Sequence, residues 1–113
     1  MTRDEIMAMK PGRELDAEIA LRVFGIKEVT VVGKHYFIDP LDKVLPPYCT
    51  DIAAAWEVVE EMGDCLHLRQ HGEQGEWEAW FCGYPNSKAH GETAPEAICK
   101  AALLAVMEKE DSQ

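Results

Sequence analysis

A chain of 113 residues suits one domain, spanning 1–113, and an apolar content of 47% is enough to build its core. With 21 acidic residues against 11 basic the formal charge is −10, which argues against nucleic-acid binding and against docking on anionic membranes, since both need a basic surface. No apolar run nears the roughly 18 residues of a membrane span, and Met1–Lys10 lacks a signal-peptide pattern, so a cytoplasmic location in the host cell is expected.

In chain order, Thr2 caps a short first helix that Lys10-Pro11-Gly12 breaks. A second helix is predicted over Arg13–Phe24, where Leu15, Ile19 and Val23 recur every fourth residue, and Gly25 ends it in a left-handed conformation. Val29, Val31 and Tyr36-Phe37-Ile38 form a hairpin around Gly33-Lys34. Asp39-Pro40 and Pro46-Pro47 make the next segment irregular.

Thr50 or Cys49 caps a third helix, with Asp51 in its first turn and Ile52, Ala55, Trp56, Val59 and Met62 as its apolar face. Cys65–Arg69 and Trp77–Cys82 read as strands joined by a Gly72–Gly75 loop. A polar, mobile loop is expected over Tyr84–Gly91. Thr93 and Glu96 make a capping box for a last helix that is apolar almost all round from Ala97 to Met107; Glu108–Gln113 reads as a frayed tail. Helices with a small antiparallel sheet between them define an α+β class, an α/β/α sandwich. The girth of the last helix exceeds what a small domain covers alone, which predicts a homo-oligomer.

Three segments carry a resemblance: Pro-Gly-Arg-Glu-Leu-Asp at 11–16, Thr-Asp-Ile-Ala-Ala-Ala-Trp-Glu-Val at 50–58 and Ala-Pro-Glu-Ala-Ile-Cys-Lys-Ala-Ala-Leu-Leu-Ala at 94–105. In order and over nearly the whole chain, they resemble the phage ABA-sandwich domain, a family of small proteins from phages and prophages of Gram-positive bacteria. The resemblance implies an antiparallel sheet layered between helices and implies no activity.

Arg13, at a helix start beside Pro11-Gly12, suits a phosphate or carboxylate; the plainer role is an ion pair with Asp16 or Glu14. Tyr48, Thr50, Asp51 and Trp56 gather where the third helix opens. They suit a planar ring and a base or ribose, against the plainer roles of cap for Thr50 or Asp51 and core for Trp56. Tyr48, beside two prolines, has no evident packing duty. Trp77 and Trp80 point to opposite faces of a strand, so one of them becomes a stacking platform if its face is left open.

The cysteines Cys49, Cys65, Cys82 and Cys99 form no close pair and are expected as thiols, not bridges, with no zinc site. His67 and His71 have a helical ligand spacing but fall on a strand. Asp39, Asp42 and Asp51 have nothing to fix them around a metal. No nucleophile stands beside a base and no cofactor motif occurs, so no enzyme is expected. Two readings follow. In the first, the chain is a non-catalytic protein that sequesters a nucleotide-derived signal of host immunity through Arg13, Tyr48, Thr50, Asp51 and Trp80. In the second, it is a protein–protein module or acidic decoy that docks on a host or phage protein. A ligand binder should gather its cations and aromatics at one cavity, whereas a decoy should scatter them.

Overall fold

The computed structural model describes residues 2–39, 43–71 and 75–111. Helix α1 spans Arg3–Ala8, and the Thr2 side chain caps it by accepting from the Glu5 N–H at 3.2 Å. Helix α2 spans Arg13–Arg22 and stops short of Phe24. The Phe24 and Ile26 N–H groups already bond back to the Ile19 and Ala20 carbonyls, and the chain turns through Gly25 at φ 69°. Only glycine takes that conformation without strain.

Strands β1 (Glu28–Val32) and β2 (His35–Asp39) form the expected hairpin, and a two-residue strand β3 (Lys43–Val44) adds to β2. The Pro40 step and the metal candidate Asp42 lie outside the described residues. Helix α3 spans Ile52–Met62 and ends at Gly63, φ 72°. Asp51, not Thr50 or Cys49, is its cap, and its carboxylate accepts from the Ala53 N–H at 3.3 Å. The buried face of α3 is also turned from the one expected. Ala54, Ala55 and Val58 are buried, while Ile52 and Trp56 are 52% and 51% exposed. Trp56 is therefore not a core residue; small alanines let α3 approach its neighbours along a different stripe.

Strands β4 (Leu66–His71) and β5 (Glu76–Phe81) pair from Leu66↔Phe81 to His71↔Glu76, and Gly72, Glu73 and Gln74 of their loop lie outside the described residues. A strand β6 (Ala89–Gly91) pairs with β5 inside the segment expected to be loop. Its residues, Ala-His-Gly, carry no β-forming signal, and partnership with β5 makes the strand. Helix α4 spans Ala94–Asp111 and so includes the first part of the expected tail. The α+β class holds, with four helices and antiparallel strands among the described residues, where the strands divide between two three-stranded sheets, β1-β2-β3 and β4-β5-β6.

Helix α4 is the centre of the packing. One side lies on β5 and β6, and the other on α1, α2 and α3. Every residue from Ala97 to Ala105 is buried, so the apolar girth that seemed to need a partner is covered by the chain itself. At Gly91 an added Cβ would meet the Ala97 nitrogen at 2.9 Å, so the last strand crosses α4 as closely as only glycine allows. The buried Lys100 donates to Glu96 at 2.6 Å and to the Met7 carbonyl at 3.1 Å, tying α1 to α4.

Candidate functional site

The register of β4-β5-β6 sorts its side chains onto two faces. Leu66, Leu68, Trp77, Ala79, Phe81 and Ala89 turn toward α4 and join the core. The other face is open to solvent and carries Cys65, His67, Arg69 and His71 from β4 and its start, Glu76, Glu78, Trp80 and Cys82 from β5 and its end, and Lys88 and His90 at β6. In a chain of charge −10, this face collects two cations and three of the four histidines.

Trp80 is half-buried at its middle. The His67 ring stacks on the indole, with centroids 4.9 Å apart and planes 10° apart. The Arg69 guanidinium and the Lys88 ammonium lie over the ring at 5.7 and 5.1 Å. Lys88 follows a loop that is tied down, not loose. Ser87 Oγ accepts from the Phe81 N–H at 3.0 Å and donates to the Tyr84 carbonyl at 2.7 Å, and Arg3 donates to the Asn86 and Lys88 carbonyls at 2.8 Å each.

Beside Trp80 the Glu78 carboxylate is buried to 3% exposure although its face is open. Its shielding groups are also its partners. Arg69 and Lys88 lie 3.0 and 3.5 Å from Oε1, and His71 Nε2 and His90 Nε2 lie 3.2 and 3.4 Å from Oε2. Burial acting alone would raise the carboxyl. The hydrogen bond from His71 and the charges of Lys88, Arg69 and His71 outweigh it and hold Glu78 below the ordinary carboxylate range.

Past the other end of β5, Cys65 and Cys82 form a disulfide, contrary to the expectation of free thiols. They extend the Leu66↔Phe81 register by one step, and the Cys82 N–H donates to the Cys65 carbonyl at 2.9 Å, which leaves the two Cα atoms 5.3 Å apart. Hairpin geometry thus faces two cysteines that are far apart in sequence. Cys49 and Cys99 are free and buried.

Of the five ligand residues expected from sequence, Arg13, Tyr48, Thr50 and Asp51 lie where the start of α2 meets the segment before α3, and Trp80 stands apart on the open sheet face. Arg13 donates to Asp16 at 2.9 Å and also to the Leu45 carbonyl, and lies 5.6 Å over the Tyr36 ring. Asp16, buried, accepts from the Cys49 N–H at 2.9 Å, so the pair clamps the segment before α3 onto α2. Tyr48 does have a packing duty: it is 4% exposed and stacks on Phe24 at 5.0 Å. Asp51 caps α3, and Thr50 is an exposed turn residue. A cleft of about 450 Å³ beside Arg13 is lined by neighbours such as Lys10, Pro11 and Glu14, but not by Tyr48, Thr50, Asp51 or Trp80.

Fold and site together define a small layered α+β protein whose exposed sheet face concentrates cations, histidines and one tryptophan. The chain belongs to the phage ABA sandwich domain family, whose profile matches residues 17–103. It is also similar to a phage protein from Bacillus cereus ATCC 14579, known from a 2.0 Å crystal structure. That likeness has a TM-score of 0.60 and 28% identity, over 87% of this chain and 93% of the other. No curated protein shows significant similarity to it.

Sequence reasoning passed over Glu78, Lys88 and His90 as site residues. The signal that could find Glu78 is the period of two along 65–71 and 76–82; Lys88 and His90 come with β6, which has no such signal. Counted out from the Gly72–Gly75 loop, that period puts His67, Arg69, His71, Glu78 and Trp80 on one face.

Proposed function

We propose that this protein is a non-catalytic binding protein that holds a nucleotide-like anion on the outer face of β4-β5-β6, with the base stacking on Trp80 in place of the exposed His67 ring and the phosphate on Arg69 and Lys88. The observation that carries the reading is the placing of both cations over one indole, 5.7 and 5.1 Å from its centre, with Arg69 and Trp80 on one ladder and Lys88 one residue before β6. An aromatic face and neighbouring charge-assisted donors are what a base and its phosphate need. The formal charge of −10 repels an anion at long range. Salt screens that field over about 8 Å, and the donors at the site decide affinity. For a phage protein, the ligand suited to such a site is a nucleotide-derived signal of host immunity, which sequestration silences without catalysis.

Calorimetry against cyclic dinucleotides and cyclic ADP-ribose isomers tests this. Saturable binding is expected, weakened about five- to 150-fold by Trp80→Ala, in line with the roughly 1–3 kcal/mol of a base–aromatic stack. Arg69→Ala should also weaken it, and Arg13→Ala should not. Binding that Arg13→Ala removes and Trp80→Ala spares overturns this placement. A second reading has the same face docking an acidic protein, favoured because the face is an open sheet rather than a cleft. Silence across the panel, with a host protein held by the wild-type chain and released by Arg69→Glu, moves the conclusion there.

A further inference from the structure

Three neighbouring strands each place one metal-ligating side chain at the same end of the open face. His71 comes from β4, Glu78 from β5 and His90 from β6, and their ligating atoms all lie within 4.8 Å of one another. Register makes the cluster. Glu78 is paired directly with His90 and lies diagonal to His71, whose own partner is Glu76. We propose that His71 Nε2, Glu78 Oε2 and His90 Nε2 form a binding site for a divalent transition metal of the zinc type.

Geometry supports the assignment first. The two nitrogens lie 3.2 and 3.4 Å from Oε2. Ligands held 2.0–2.2 Å from a tetrahedral ion are separated by about 3.3–3.5 Å, so each imidazole already stands at ligand spacing from Oε2, and the two nitrogens lie within 4.8 Å of each other. Two imidazoles and one carboxylate suit zinc and its neighbours, whereas calcium and magnesium require more oxygens. Three protein ligands leave a fourth position for water or a ligand group.

The surroundings support it as well. His90 Nδ1 faces Glu76 Oε1 at 3.6 Å. That is just beyond hydrogen-bond range, yet it puts a carboxylate on the side of the far nitrogen, where such groups orient ligating imidazoles. Arg69 and Lys88 oppose a dication by charge, but both gather on Oε1 and both are about half exposed, at 57% and 47%. Monodentate ligation through Oε2 leaves Oε1 to them, and side chains this exposed have room to swing away from the ion. His71 and His90 are themselves 44% and 40% exposed, which gives an ion access from water. The second group on this face, Cys65, His67 and Cys82, lacks thiolates while its sulfurs are bridged.

Calorimetric titration of the full-length, non-reduced chain with zinc chloride tests the site independently of any nucleotide. One ion per chain is expected. His71→Ala and His90→Ala should each weaken binding at least about tenfold, the scale on which ligand-shell changes act. Both side chains are solvent-exposed, so circular dichroism should show these variants folded. The double variant Cys65→Ser/Cys82→Ser should bind like the wild type. Absence of saturable binding overturns the proposal, as does affinity unchanged in both histidine variants. Binding that appears only on reduction and is lost in the double cysteine variant places the ion at Cys65, His67 and Cys82 and also overturns it.

Discussion

Cys49 has its sulfur against both ends of one peptide residue. The Gly12 N–H donates to it at 3.1 Å and its own S–H donates to the Gly12 carbonyl at 3.3 Å. Burial, followed by the hydrogen bond and charge of Asp16, pushes the thiol up from 9.0 to about 12. Tyr48 next to it is pushed from 10.0 to about 12, by burial first and then by Glu57 and Asp16. A thiol held protonated is no nucleophile, which removes this corner of the molecule from candidate chemistry. It also has a consequence for stability. Both groups have folded values above their unfolded ones, so their contribution is fully present below about pH 9 and is lost as pH rises toward 12. The urea midpoint should therefore fall between about pH 8 and pH 11, and Cys49→Ala should flatten part of that fall. A midpoint that is level over this range, or a slope untouched by Cys49→Ala, contradicts the account.

Among the elements, those that carry their own signal were legible in the sequence and those made by their neighbours were not. Thr2 and Gly63 mark their helix ends where expected, Gly25 makes its left-handed turn only after α2 has already closed at Val23, and the capping box of α4 is present: the Glu96 N–H donates to Thr93 Oγ1 at 3.3 Å. Glu96 reaches back to the Glu92 N–H at 3.1 Å, one residue before the cap. Thr93→Ala should cost about 1 kcal/mol, read as a lower urea midpoint with an unchanged slope, and Thr93→Ser should restore most of it. No shift in the alanine variant would mean that tertiary packing alone holds the start of α4. By contrast, β6 exists because Glu78 and Ala79 offer an edge to His90 and Ala89. The buried stripe of α3 is chosen by what α4 presents, so Trp56 faces water while Ala54 faces in. The site was half legible. Trp80 is read from strand parity, and the plainer pairing of Arg13 with Asp16 is local to one helix and legible as well, while Tyr48 became a candidate because its partner, Phe24, is brought to it only by the fold.

At the scale of the molecule, the last helix changes meaning once its surroundings are known. Read alone, an apolar cylinder such as Ala97–Met107 implies a missing partner. Within the fold its small residues, Ala97, Ala101, Ala102 and Ala105, let a sheet and three helices close around it, and every one of them is fully buried. Its two polar intruders are matched to each other, Lys100 to Glu96, so the helix accepts burial on all sides without an unpaired charge. This helix therefore leaves no apolar face that a second copy would have to cover. Among the described residues, the large apolar side chains left in water are spread over several elements: Leu21 on α2, Val31 and Val32 on β1, Val44 on β3, and Ile52 with Trp56 on α3. A scatter of this kind is ordinary for a soluble surface, whereas a stable self-association needs a contiguous apolar centre. Light scattering at micromolar concentration should accordingly report the mass of one chain. A mass of two chains would require a self-complementary face. Lysine at Val31 or Val44, tested against lysine at Trp56, would show whether the first sheet or α3 supplies it.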